Sequence, residues 1–491
     1  MRRLFSVIVI ILSCTALLGA RTDEGFEEAR QVANAEAVAG FHELAEWCQK
    51  EKLYGKRFGT LRGVLVLVPD DEDAHRKLGH KREKNGRWKV PRKVRWPRDH
   101  NEEAIPQFEE QRSEIIDRLR SKLLAAAEEA ELAPTLRWPV FEDLLKLDKN
   151  DPETRRLLGE GRKDGKWVLL EVLRSDEQRV ALTKSVRESF AAEVQFTPST
   201  PNTREQLFGL PWTSVHETPD GRVIGTVTPD ELQRAGVLLA AIRRHLVGAV
   251  LGKDARYGQE CTVYVLQPMH RDGFIDGIPE ISKDYRDFMR ALLGSGIQGA
   301  DDLAQWGPSE ADRRDLLVRE AVGWLMADAY RITTKHGWVH EGFGLYLSKQ
   351  LVNTRLHWFA MKSDYGRVED DQALRDRMSG GRSDWFVEAL QVLQSDKAPK
   401  LNYMLGKDVN RLTTTELLVS HALAAYLLEG RPESLPEIWT KIGGGASSRE
   451  VLEGALGMKL PRLQTTLVRW LEERQGEAVA PPAGDSDKPK K

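Results

Sequence analysis

One segment of this 491-residue chain occurs twice, and that limits what its N-terminal third can build. Leu67-Val68-Pro69-Asp70-Asp71 runs on to Leu78-Gly79 and then to Asn85-Gly86-Arg87-Trp88. Eighty positions later, Leu147-Asp148-Lys149-Asn150-Asp151 runs on to Leu158-Gly159 and then to Asp164-Gly165-Lys166-Trp167. A single-residue gap before the Trp is the only shift between the copies. Each copy reads as an apolar helix, a Pro/Asp turn, a charged helix closed by a left-handed glycine, and an Asn-Gly or Asp-Gly turn that presents a Trp. The Trp is expected to fold back onto the helix pair. Gly63 to Val68 alone has strand propensity, but its counterpart Phe141 to Leu145 reads helical, and the repeat decides for helix. These features predict an α+β, mostly helical protein that begins with helical hairpin repeats.

The two units resemble tetratricopeptide-type helical hairpins, and residues 21–185 are read as that region. Before it, Met1-Arg2-Arg3, an apolar run from Leu4 to Leu18 and Gly19-Ala20 have the three parts of a secretory signal over residues 1–20. The protein is therefore expected to be secreted or periplasmic, with cleavage after Ala20. Lipid attachment at Cys14, in Ile11-Leu12-Ser13-Cys14, is the alternative. The apolar run is too short for a span, and no transmembrane segment is expected in the mature chain. Cys48 and Cys261 read as buried free thiols. Lys81 to Arg98 is basic, with Trp88 and Trp96 among the cations, but an acidic run from Glu102 follows at once. With a net charge of −2, no nucleic-acid partner is expected.

The chemistry concentrates between Leu316 and Phe359. Trp338-Val339-His340-Glu341-Gly342, followed by Tyr346, resembles the third-ligand segment of gluzincin metallopeptidases. Twenty-two positions earlier (341 − 319), Arg319-Glu320-Ala321-Val322-Gly323 occupies the place of the His-Glu-x-x-His helix. In that motif, imidazoles at i and i+4 share one helix face and bind zinc, and the intervening Glu activates the zinc-bound water. The chain thus resembles a peptidase-MA-like, gluzincin-type domain with a degenerate motif, over residues 193–473. The resemblance implies that Glu320 is a vestigial general-base position and that Arg319, Gly323 and Glu341 are vestigial metal-ligand positions, with Tyr346 beside them. No cofactor is expected. The alternative is zinc at a relocated site made of His336, His340 and Glu341. His357 and His421 stand alone and read as structural.

Thr197 to Thr203 marks the boundary ahead of this domain. A hairpin about Asp220-Gly221, a capped helix from Thr228, a strand from Cys261 to Leu266 and a helix from Asp284 follow. Family members place an edge strand before the zinc helix, whereas Gly294 to Pro308 shows no alternation and is read as lacking one. Helices at Thr415 to Leu428, after Ser447 and through Leu463, Leu467 and Trp470 complete the domain. Residues 478–491 read as a disordered tail. Three functions fit: an exported protein whose inactive, degenerate domain binds or scaffolds, an active zinc peptidase with non-standard ligands, and a structural envelope protein. The first is preferred, the enzyme reading leaning to no. Its partner would be a protein or peptide held by the repeats or by the vestigial cleft.

Overall fold

The computed structural model describes residues 2–91, 97–130, 134–252, 255, 261–279, 281–291, 297–298, 302–354, 372–379, 384–409 and 411–474. Trp96, His357 and the tail from 478 lie outside them. The fold is α+β and mostly helical, and it divides into two compact units, Met1–Trp167 and Val168–Lys491. Among the described residues, no helix is long and apolar enough to cross a membrane.

In the first unit, α1 (Arg2–Lys50), α2 (Tyr54–Leu67) and α3 (Glu72–Lys77) lead to a hairpin of β1 (Lys81–Arg82) and β2 (Trp88–Lys89). The pattern then repeats in α4 (Ile105–Glu129), α5 (Pro134–Leu147), α6 (Pro152–Leu157), β3 (Glu160–Lys163) and β4 (Lys166–Leu169). Gly63 to Leu67 is helical, as the repeat required. Asp71 and Asp151 cap the two short helices with their carboxylates. Gly79 and Gly159 then adopt φ of +77° and +75°, which turns the chain into each hairpin. Phe41, Leu44, Leu61, Val64, Leu119 and Leu144 form the centre of the core. Trp88 stacks on His75 with centroids 4.4 Å apart. Trp167 lies under Arg155 and Arg162, at 5.9 and 4.6 Å. Both indoles reach the preceding short helix, yet both are only half-buried.

The second unit begins with α7 (Leu170–Ala191). The sequence reading places most of this helix in the repeat region, but Val172, Leu182 and Val186 pack into the core of the second unit. Next come β5 (Thr197–Pro198), α8 (Thr203–Leu207), β6 (Ser214–Thr218), β7 (Gly221–Gly225), α9 (Pro229–Leu246) and β8 (Thr262–Val265). After these follow α10 (Arg271–Gly277), α11 (Lys283–Ala291), β9 (Ile297–Gln298), β10 (Asp302–Gln305), α12 (Glu310–Tyr330) and α13 (Gly337–Val352). The strands form one mixed sheet in the order β5-β6-β7-β8-β10-β9, with β7, β8 and β10 parallel and β9 antiparallel at the edge. The reading of 294–308 as lacking a strand is therefore corrected. Leu303, Ala304 and Gln305 are all buried, and a strand covered on both faces has no reason to alternate.

Helices Thr414–Ala425, Leu435–Gly443, Ser448–Leu456 and Leu460–Glu473 complete the unit. Ser447 and Glu450 form the capping box that their spacing predicts. Cys48 and Cys261 are buried free thiols, and burial pushes Cys48 up to about 12.

Candidate functional site

The site rests on α12 and α13. Ser309 and Asp312 close a capping box that starts α12 shortly after β10 ends, so the strand next to the sheet edge feeds directly into this helix. From Leu316 to Met326 nearly every α12 side chain is buried, including Glu320, while α13 is buried from Gly337 to Ser348. Two neighbouring helices this deeply enclosed turn few ionic side chains to water, so those they carry need partners within the fold.

That is how the charges are arranged. Arg319 donates from one guanidinium nitrogen to Glu320 Oε1 at 2.6 Å and from the other to Glu341 Oε1 at 3.1 Å. All three side chains are 10% exposed or less. Burial alone would lower the Arg319 pKa, but Glu341 and then Glu320 outweigh it and hold the guanidinium charged. Burial pushes the Glu320 carboxyl up against the pull of Arg319, and the neighbouring Glu341 adds to the rise. Gly323 lies buried one turn beyond Arg319.

The remaining sequence-derived residues go elsewhere. His340 donates Nε2–H to the Thr333 carbonyl at 3.2 Å, and burial pushes its pKa down to about 4, so the ring is neutral. His336 Nδ1 lies 2.9 Å from Ser448 Oγ, which also accepts the Trp338 indole N–H at 2.8 Å. The relocated ligand set of His336, His340 and Glu341 is thus not assembled: the two rings serve different partners. Among the described residues, no group of three His, Cys, Asp or Glu is placed to hold a metal ion.

Tyr346 also departs from expectation. Its hydroxyl donates to Glu429 Oε1 at 3.0 Å and accepts from Gln350 Nε2 at 3.0 Å. Glu429 takes two further bonds from Arg474, at 3.0 and 2.8 Å. Burial, with Glu429 beside it, raises the Tyr346 pKa. Tyr346 therefore belongs to a second buried cluster. Glu429 and Arg474 were missed in the sequence because neither sits in a motif, although an acid within the apolar run Leu417 to Leu428 and Gly430 was a signal that something must satisfy it. His421 is buried against the rings of Trp385 and Phe386, in keeping with a structural role. Tyr285 on α11 was missed as well. Its pKa is raised by burial and then by the charge of Glu320, and it stacks with Phe288 at 5.9 Å on an exposed face.

These residues do not fit a zinc ion. A guanidinium offers only donors, glycine offers no side chain, and the two carboxylates that remain are already bonded to Arg319. What the arrangement does is hold a largely buried cation between two acids. No family model, no curated protein and no solved structure matches this chain.

Proposed function

We propose that residues 193–473 are a degenerate gluzincin-like domain in which zinc catalysis has given way to binding or scaffolding. The domain belongs to an exported protein whose partner is a protein or peptide, taken by the helical repeats of residues 21–185 or by the cleft about Arg319. One observation carries this reading: the Arg319 guanidinium bridges Glu320 and Glu341, the two acids that the resemblance assigns to the general base and the third ligand. A buried cation in a metal's place supplies the charge that those acids need without supplying a Lewis acid. Glu320 spends its carboxylate on the bond from Arg319. The strand order also supports the reading, since β10 runs into α12 with β9 antiparallel at the sheet edge.

The test is metal analysis of the purified mature protein together with a general peptidase assay, using Glu320→Gln as the control. We expect no stoichiometric zinc and no hydrolysis above that variant. Bound zinc with peptidase activity lost in Glu320→Gln would establish the opposite reading. Arg319→His combined with Gly323→His should create a zinc site measurable by calorimetry. Export is tested by N-terminal sequencing of the native protein, which should begin near Arg21; an intact Met1 on native cytosolic protein would refute it.

A further inference from the structure

The two repeat units hold their hairpins by the same three-part clamp, made of different chemistry. In the second unit, Arg155 donates to the Lys149 carbonyl at 2.9 and 2.7 Å and to Glu160 Oε2 at 2.6 Å, beneath Trp167. Subtracting the repeat offset of eighty turns Lys149, Arg155 and Glu160 into Pro69, His75 and His80. In the first unit those residues do the same work. His75 Nε2 bonds to the Pro69 carbonyl at 2.8 Å, its Nδ1 meets His80 Nδ1 at 2.7 Å, and its ring stacks on Trp88. The exchange extends to the helix caps. Arg120 on α4 grips the capping Asp151, whereas His42 on α1 faces the capping Asp71 at 3.3 Å. One unit is held by ions that stay charged at every physiological pH; the other is held by imidazoles.

The tautomers follow from the geometry. A carbonyl only accepts, so His75 carries its proton on Nε2 and offers the Nδ1 lone pair, to which His80 donates Nδ1–H. A first added proton goes to His80 Nε2 and leaves this bond intact. A second has only His75 Nδ1 to occupy, where it would face the N–H of His80 at 2.7 Å. The closed clamp therefore holds one proton fewer than the open one.

The surroundings do not relieve this. The neighbouring charges that act on His80, those of His75 and of Arg62 on α2, are both positive, and with burial they lower its pKa. On β1, Arg82 lies over Trp88 at 5.6 Å and 4.0 Å from Glu72. On α3, Lys77 is paired with Asp73 and with Glu46 of α1. His42 faces Asp71 and Asp73 rather than the imidazole pair.

We infer that the first unit is an acid-released latch. Protonation of the His75–His80 pair frees the hairpin Lys81–Lys89 and its Trp88 from α3, while the Arg155–Glu160 clamp keeps the second hairpin shut. The freed hairpin carries an exposed basic face, with Lys81, Arg82, Lys84, Arg87 and Lys89.

Hydrogen–deuterium exchange on the full chain tests this, because the second hairpin is an internal control for the intrinsic pH dependence of exchange. A closed state that refuses one proton of ordinary pKa about 6.5 loses protection by about 30-fold at pH 5. The protection ratio of residues 80–90 to 159–168 should fall by that factor between pH 7.5 and pH 5. His75→Arg with His80→Glu should abolish the fall, and Arg155→His with Glu160→His should transfer it to the second hairpin. A ratio unchanged with pH in the native chain would overturn the inference, as would a fall that persists in the Arg/Glu variant. If a double variant fails to fold, the single change His75→Gln, whose amide can donate to the Pro69 carbonyl and accept from His80 without a titrating ring, should flatten the ratio on its own.

Discussion

Arg319→Met keeps most of the apolar stem of the side chain and removes its charge, so it isolates what the cation does for Glu320 and Glu341. Without the guanidinium, a buried carboxylate must either remain ionised in a poor solvent or take up a proton. Proton uptake at pH 7 costs about 1.36 kcal/mol for each unit above an ordinary glutamate value of about 4.3, or about 3.7 kcal/mol for one carboxyl. Breaking a buried ion pair by removing one partner costs about 3–5 kcal/mol, in agreement. The sign of the pH dependence is fixed by the same reasoning. In the variant the folded-state carboxyl pKa lies above its unfolded value. Its contribution is therefore fully present below about pH 4.3 and is lost as pH rises through the folded value. Urea denaturation should accordingly show Arg319→Met destabilised by about 4 kcal/mol at pH 7 and by only about 1 kcal/mol at pH 5. A variant within 1 kcal/mol of the native protein at pH 7, or a deficit equal at both pH values, would mean that the guanidinium does not neutralise these acids.

Trp88→Ala and Trp167→Ala should each cost about 1–2 kcal/mol by thermal or urea unfolding, less than the ~3–5 kcal/mol of a fully buried indole, because both rings are half-covered. His340, pushed down to about 4 by burial, takes a proton far less readily in the folded protein than in the unfolded chain. Its stability contribution is present above pH ~6.5 and lost as pH falls, by about 3 kcal/mol at pH 4, and His340→Gln should remove that slope while still donating to Thr333. Gly342→Ala places a Cβ 2.4 Å from the Ser420 carbonyl oxygen, where α13 crosses Thr414–Ala425. It should cost about 1–3 kcal/mol in urea unfolding, and an alanine variant as stable as the native protein would show that the two helices can separate at no cost.

Local signals in the sequence proved sufficient where the determinants are local. The capping residues Thr228 and Ser447, the Asp220-Gly221 turn and the glycines that close α3 and α6 act within a few residues, and each element starts or stops where they direct it. The repeat resolved what propensity could not, turning Gly63 to Leu67 from a strand into part of α2. Misreadings arose where burial comes from distant chain. β10 carries no alternation because other parts of the fold cover both its faces, and α7 reads like one more repeat helix until the core of the second unit claims its apolar side.

The same distinction separates the site residues. Arg319, Glu320 and Glu341 lie on two consecutive helices joined by a short connection, so the separation between the two halves of the motif already confines their side chains to one neighbourhood; a buried arginine among two acids then has one favourable arrangement. Tyr346 shares a helix with Glu341, but five residues further along it points to another side, about 140° away at 3.6 residues per turn. What waits there is Glu429, eighty-three residues on in the chain, with Arg474 beyond it. Nothing near Tyr346 in sequence announces either. A motif therefore transfers the residues whose partners lie within it, and a residue whose partners are supplied by the rest of the fold has to be placed by the buried charge that needs it. Here Glu429 is that charge: fully enclosed, it takes the Tyr346 hydroxyl and the Arg474 guanidinium together, and in doing so draws the tyrosine away from the Arg319 cluster.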